Sequence, residues 1–192
     1  MNYITFKSLV TRNRSFRRFD QKARVRRSVL RKLVDLGRLS ASGGNRQPLK
    51  YMLSGEPKRN ARIFPCLGWA GYLRPWQGPA EGERPAAYIV ILGDNTLRRD
   101  CQYDAGIAAQ SIMLGAAARG LGGCMIGSIQ RERLRQILKI PGRYEVLLVL
   151  ALGKPAEKVV LEKAKDGNIK YWRDSKDVHH VPKRSLKEII LR

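Results

Sequence analysis

Four short stretches carry side chains whose types and spacing could do chemistry. Arg12-Asn13-Arg14-Ser15-Phe16-Arg17-Arg18-Phe19 concentrates guanidinium groups around a hydroxyl. Arginine binds phosphate through two parallel N–H donors, and a serine hydroxyl adds a third. The loop Ser40–Pro48 places Asn45 and Gln47 between glycines and a proline. Two amides of this kind can match the edge of a flat heterocycle, and Gly43 and Gly44 let the backbone approach it. Leu121-Gly122-Gly123-Cys124-Met125-Ile126-Gly127-Ser128 offers backbone N–H groups to a ligand. Near the C-terminus, Lys183 and Arg184 form a basic pair after His179-His180-Val181-Pro182.

Several chemistries are not signalled. The chain has no GxGxxG fingerprint, no HExxH pair and no GxSxG elbow. His179 and His180 are adjacent, so in a strand they point to opposite faces and do not chelate one metal. No metal site is expected. Cys66, Cys101 and Cys124 are widely spaced and odd in number, which fits reduced thiols better than a disulfide framework. Nothing in the sequence activates Cys124, so it reads as a small buried apolar residue.

The elements that must position these residues follow from periodicity. Helices are expected at about 3–11, 26–39, 57–64, 100–119 and 130–138, with a short one at 185–191. Strands are expected at 49–53, 86–92, 122–128 and 144–152. The stretch between Asp104 and Arg119 has no charged residue, so its helix is expected to be surrounded by protein. Pro65–Pro85, with four prolines and two tryptophans, reads as an irregular excursion. Strands separated by unequal helices predict a mixed α/β or α+β layered architecture.

The chain has 192 residues and 43% apolar residues, enough for one domain with a sizeable core. Its net charge is +22. Residues 1–62 carry 17 basic and 3 acidic side chains, residues 63–130 carry 5 of each, and residues 131–192 carry 16 and 8. The charge excess therefore sits at the two ends. It admits nucleic acid as a partner through counterion release, but no recognised nucleic-acid module accompanies it. No apolar run is long enough to span a bilayer, and a cytoplasmic protein is expected.

Taken in order, the motifs are more telling than singly. Arg14-Ser15-x-Arg17 is followed by Ser42-Gly43-Gly44-Asn45-Arg46-Gln47-Pro48, then Asp104-x-Gly106-x-x-x-Gln110. Gly120-Leu121-Gly122-Gly123-Cys124-Met125-Ile126-Gly127 comes next, then Leu152-Gly153-Lys154-Pro155 and Pro182-Lys183-Arg184. The series resembles the FMN-dependent nitroreductase family over about residues 3–191. The resemblance implies an α+β, three-layer fold with a central, mainly antiparallel sheet flanked by helices. It implies one such domain over 1–192, with a variable excursion at about 65–85 and a C-terminal arm at about 165–192. It further implies a homodimer holding FMN at its interface.

By the same resemblance, Arg14, Ser15 and Arg17 match the flavin-binding motif, with Arg17 near the pyrimidine side as electrostatic support. Asn13 stands where the family commonly has arginine, and Leu49 where it commonly has an aromatic residue. Asn45 and Gln47 match the loop that hydrogen-bonds the flavin. Ile126, Gly127 and Ser128 match the segment beside the isoalloxazine, and Lys183 and Arg184 the pair that reaches the phosphate. The implied activity is ping-pong hydride transfer from NADH or NADPH through flavin N5 to a small organic acceptor, with no catalytic side chain required. Related flavin chemistry, such as reductive dehalogenation, is the neighbouring alternative, and a basic nucleic-acid-binding protein the distant one.

Overall fold

The computed structural model describes residues 2–74 and 76–191; Met1, Pro75 and Arg192 lie outside the description. Helix α1 (Tyr3–Arg12) starts where the Asn2 side chain accepts the Thr5 N–H at 2.9 Å, which satisfies one of the free donors of its first turn. The two-residue strand β1 (Phe19–Asp20) precedes α2 (Arg27–Arg38). Helix α2 buries Leu30, Leu33 and Gly37 and turns its arginines and lysine outward. A single 3-10 turn at Gly43–Asn45 leads to β2 (Leu49–Ser54) and α3 (Pro57–Ile63), with Pro57 preset for the first helical turn.

Strand β3 (Ala87–Asp94) is buried at all eight positions. It lies between β2 and β5 (Tyr144–Pro155), antiparallel to both. Ile91 pairs with Leu148 but Leu92 pairs with Val146, so β5 carries an extra residue there. Helix α4 (Gln102–Ala118), β4 (Gly122–Ile126) and α5 (Arg131–Leu138) come between them in sequence. Strand β4 and the short β1 both pair with β5, also antiparallel. A second, smaller sheet holds β6 (Val159–Lys163), β7 (Trp172–Arg173) and β8 (His179–Lys183), with β8 parallel to β6 and antiparallel to β7. The chain closes with α6 (Leu186–Ile189).

The pleat of β3 sorts the core into two layers. Ala87, Ile89 and Ile91 face α2 and α4, joined by Leu150 and Leu152 of β5. Tyr88, Val90 and Leu92 face the side of α3 and α5, joined by Val149 and Ala151. This period-two alternation is what a sheet covered on both faces requires. The α+β, three-layer expectation holds.

Two expectations need correction. Helix α4 is not surrounded by protein within one chain. Ala105, Ala108, Ala109, Ile112 and Met113 are buried, but Tyr103 is 76% exposed and Ile107 44%. The lack of charge signals two apolar faces, of which the chain covers one. No strand is expected after Leu152, yet residues 159–183 contain the three strands of the second sheet. These strands are short and mix apolar with charged residues, as Val-Val-Leu-Glu-Lys, Trp-Arg and His-His-Val-Pro-Lys, so none carries a long apolar run or a clean alternation.

Candidate active site

The segment Asn13–Arg18 lies along β4. Ser15 bridges Gly123 in parallel fashion, and the Phe16 N–H donates to the Gly123 carbonyl at 2.9 Å. This approach needs glycine at 122, where a Cβ would sit 2.5 Å from Phe16 Cδ2, while a Cβ on Gly123 would sit 2.8 Å from Leu152 Cδ2 and closer still to the Ala151 carbonyl oxygen of β5. The segment and β4 together wall a cavity of about 330 Å³ that includes Arg14, Ser15, Arg17, Tyr171 and Lys183. A second cavity of about 260 Å³ adjoins it and includes Ile126, Gly127, Ser128 and Trp69. Arg17 and Met125 belong to both walls.

Arg17 is only 9% exposed. Its guanidinium carbon lies 4.7 Å from the Tyr171 ring centroid, and its NH1 reaches the Ser15 carbonyl at 3.4 Å. Glu157, just beyond β5, fixes the backbone of this segment. The Glu157 carboxylate accepts the N–H groups of Arg17 and of Arg18, the latter at 3.1 Å. It also accepts Arg173 NH2 at 2.8 Å, and His179 Nδ1 lies 3.8 Å away. Burial alone would raise the Glu157 pKa. The His179 ring, the Arg17 N–H and the Arg173 charge outweigh it and bring the carboxyl down to about 2. One carboxylate thus ties the Arg17 segment to both β7 and β8.

Arg14 donates from NH2 to the Val10 carbonyl at 2.7 Å. Its Nε is buried and has no partner, and burial lowers its pKa below the usual arginine value. An unused guanidinium N–H beside a cavity that also holds Ser15 and Lys183 suits an anionic oxygen such as a phosphate. Cys124 is buried, and burial raises its thiol, so it is no ready nucleophile.

The remaining sequence-read residues fall elsewhere. Arg184 does not line either cavity; its NH1 lies 3.6 Å from Glu188 Oε1 of α6. Asn45 and Gln47 both have positive φ, at 52° and 49°, and Gln47 Nε2 donates to Asn45 Oδ1 at 3.1 Å. Gln47 lines a separate cavity of about 230 Å³ with Lys50, Tyr51 and Asp104. Asp104, 3% exposed, fixes this loop by accepting the Gly43 N–H at 3.1 Å, and Arg98 NH1 lies 3.7 Å from it. One chain therefore brings Arg14, Ser15, Arg17, Lys183 and the Ile126–Ser128 strip together, and leaves Asn45 and Gln47 apart. Glu157, Tyr171 and Arg173 escaped the sequence reading. Nothing local in the sequence shows that Tyr171 packs on Arg17 or that Arg173 pairs with Glu157.

The layered sheet and its glycine-lined β4 define the nitroreductase fold. Residues 79–154 match the model of the Nitroreductase family, the stretch from just before β3 through β5. Among solved structures, a nitroreductase family protein from Streptococcus pneumoniae TIGR4 superposes with a TM-score of 0.72 at 17% identity, covering 97% of this chain and 99% of that one. An FMN-dependent nitroreductase from Clostridium difficile R20291 gives 0.65 at 23% identity, over 82% and 90%. A candidate NADH dehydrogenase/NAD(P)H nitroreductase from Bacteroides thetaiotaomicron gives 0.68 at 20%, over 95% and 100%. Residues 79–154 thus match the Nitroreductase family, and the chain as a whole shares the fold of solved nitroreductase-family structures. The arginine, Asn-Gln and Lys-Arg motifs lie outside the matched segment.

Proposed function

We propose that the chain is an FMN-dependent NAD(P)H oxidoreductase that acts as a homodimer on a small organic acceptor in the cytoplasm. The observation that carries the reading is Arg14's unpartnered, buried Nε in a cavity shared with Ser15, Arg17 and Lys183. That donor set fits the phosphate of FMN. When bound, FMN supplies hydride acceptance and return at its N5, which no side chain here can do.

The residues have separate tasks. Arg14, Ser15 and Lys183 hold the phosphate. Arg17 places a fixed positive charge at the junction of the two cavities, where it favours negative charge on the cofactor's pyrimidine side. Glu157 and Tyr171 hold Arg17 in place, so little reorganisation accompanies the chemistry. The glycines of β4 and the Ile126–Ser128 strip let backbone approach a flat ring system. Trp69 covers the second cavity and narrows the space for acceptor.

The dimer reading is supported by unpartnered apolar surface. Tyr3 and Ile4 of α1, Tyr103 and Ile107 of α4, and Leu186 and Ile189 of α6 are all exposed. Such groups cluster at interfaces. A second copy supplying Asn45 and Gln47 would complete a site that one chain leaves divided. One structural relative is named as FMN-dependent and another as an NADH dehydrogenase/NAD(P)H nitroreductase, which supports the cofactor and donor proposed here. The three cysteines are free, as in a reducing compartment. No helix among the described residues is long and apolar enough to cross a membrane.

The test is spectral. Protein purified without added flavin is expected to be yellow, to release FMN on denaturation and to bleach with NADH or NADPH. A colourless protein that also fails to bind added FMN overturns the proposal.

A further inference from the structure

A fourth cavity lies away from the candidate active site and shares no wall residue with it. It opens between α3, the start of β3 and the loop before it, and measures about 560 Å³. Lys22, Arg24, Lys58 and Arg84 stand around it, against one carboxylate, Glu81. Its walls also hold Phe64, Pro57 and Pro85. The space is therefore cationic and lined with apolar rings.

Two polar groups in these walls are unused. Tyr88 is fully buried, and its hydroxyl has no hydrogen-bond partner. Arg84 Nε is likewise buried without a partner, while the Arg84 guanidinium lies 4.5 Å above the Phe64 ring. A buried donor left unpaired is destabilising, and a ligand acceptor would relieve it. Neighbouring polar groups are by contrast satisfied: Asn60 Nδ2 donates to the Ala86 carbonyl at 2.7 Å, and Ser54 Oγ donates to Asn60 Oδ1 at 2.6 Å. In the walls of this cavity, the buried side-chain donors without a partner are the Tyr88 hydroxyl and Arg84 Nε.

We propose that this cavity binds a small planar organic carboxylate, its anionic end taken by Arg84 and the Tyr88 hydroxyl. The Arg84 Nε–H and the Tyr88 O–H donate to the two carboxylate oxygens. The ligand's apolar body lies among Phe64, Pro57 and Pro85. Lys22, Arg24 and Lys58 attract the anion from solvent. Burial pushes the Tyr88 phenol up, against a smaller opposing effect of Arg84, so Tyr88 remains a donor at neutral pH.

The inference stands apart from the flavin reading and is tested on the protein as purified, with whatever chromophore it carries. Benzoate is the probe, and titration calorimetry the readout. Wild-type protein is expected to bind one benzoate per chain in the micromolar to low millimolar range. Tyr88→Phe removes only an unpartnered hydroxyl. It is expected to weaken benzoate roughly tenfold or more, with Tm in the absence of benzoate unchanged or raised. Arg84→Gln is expected to abolish binding and to leave the visible spectrum unaltered. No binding by the wild type, or equal binding by both variants, overturns the proposal. Equal competition by inorganic phosphate overturns the planar-carboxylate assignment, because phosphate has no apolar body. A lowered Tm in Tyr88→Phe with no benzoate binding means that the hydroxyl serves the fold, and also overturns it.

Discussion

Replacing Glu157 by glutamine removes one negative charge and almost no volume, which makes it a clean probe of the anchor behind Arg17. The carboxyl is held at about 2, against an ordinary glutamate value of 4.5. Its side chain is 1% exposed, so solvent does little screening. A shift of this size corresponds to about 3 kcal/mol of folding stability at neutral pH. The sign follows from the depression. The contribution is complete above the unfolded value and is lost as pH falls from about 5 toward 2, when the folded state takes up its proton. At pH 3 about 1 kcal/mol should remain. Glutamine resembles the protonated acid, so the gap between wild type and Glu157→Gln should follow the same curve. Urea unfolding at pH 7, 5, 4 and 3 measures it. The expected gap is about 3 kcal/mol at pH 7, narrowing by more than half at pH 3. A gap that is equally large at every pH would refute the electrostatic argument and leave only a packing defect.

Three further outcomes follow from other residues. Arg17→Ala should weaken FMN retention or slow flavin reduction by roughly tenfold or more; flavin passing an ultrafiltration membrane and stopped-flow bleaching measure the two, and no change in either would displace Arg17 from the site. Gly123→Ala should cost about 1–3 kcal/mol, because the new methyl meets the Ala151 carbonyl and Leu152; a Tm equal to wild type would mean that β4 can move aside. His180 is raised above its ordinary value by hydrogen bonding to Glu162 at 2.7 Å and Asp174 at 3.2 Å. Its contribution is present below the ordinary histidine value and lost as pH rises through the raised one. Protection of the β8 amides, taken relative to their intrinsic exchange rates, should fall above neutral pH, and His180→Phe, which keeps a ring against Trp172, should flatten that dependence.

The large elements were legible because each obeys one period. Strand β3 is a continuous apolar run, and α2 places Leu30, Leu33 and Gly37 on one face. Helix ends differ from the reading by one or two residues. The second sheet was not legible: β8 reads His-His-Val-Pro-Lys, and its partners in β6 lie about twenty residues away with no apolar pattern to mark the pairing. The two histidines do face opposite ways, His179 buried and His180 between Glu162 and Asp174. The arginine motif was visible as a cluster, and Lys183 lines the same cavity. Glu157 was not visible, since a single glutamate after Gly-Lys-Pro-Ala carries no local signal. Its role exists only once β5 brings it beside the Arg17 backbone.

The basic excess does not act as one uniform property. Arg173 is paired with the deeply buried Glu157 carboxylate, which also holds the Arg17 backbone, so both side chains are fixed in place. Arg26, Arg27 and Arg31 are exposed on α2 or at its start, where water compensates them. Arg14 and Arg84 belong to neither group. Each is half-buried, each keeps a buried Nε–H without an acceptor, and each lines a cavity. At that Nε–H the guanidinium gives up hydration without gaining a protein acceptor. An anion arriving in either cavity would recover that loss, which is why net charge alone says little about partners here while two unpaired N–H groups say where an anion should bind.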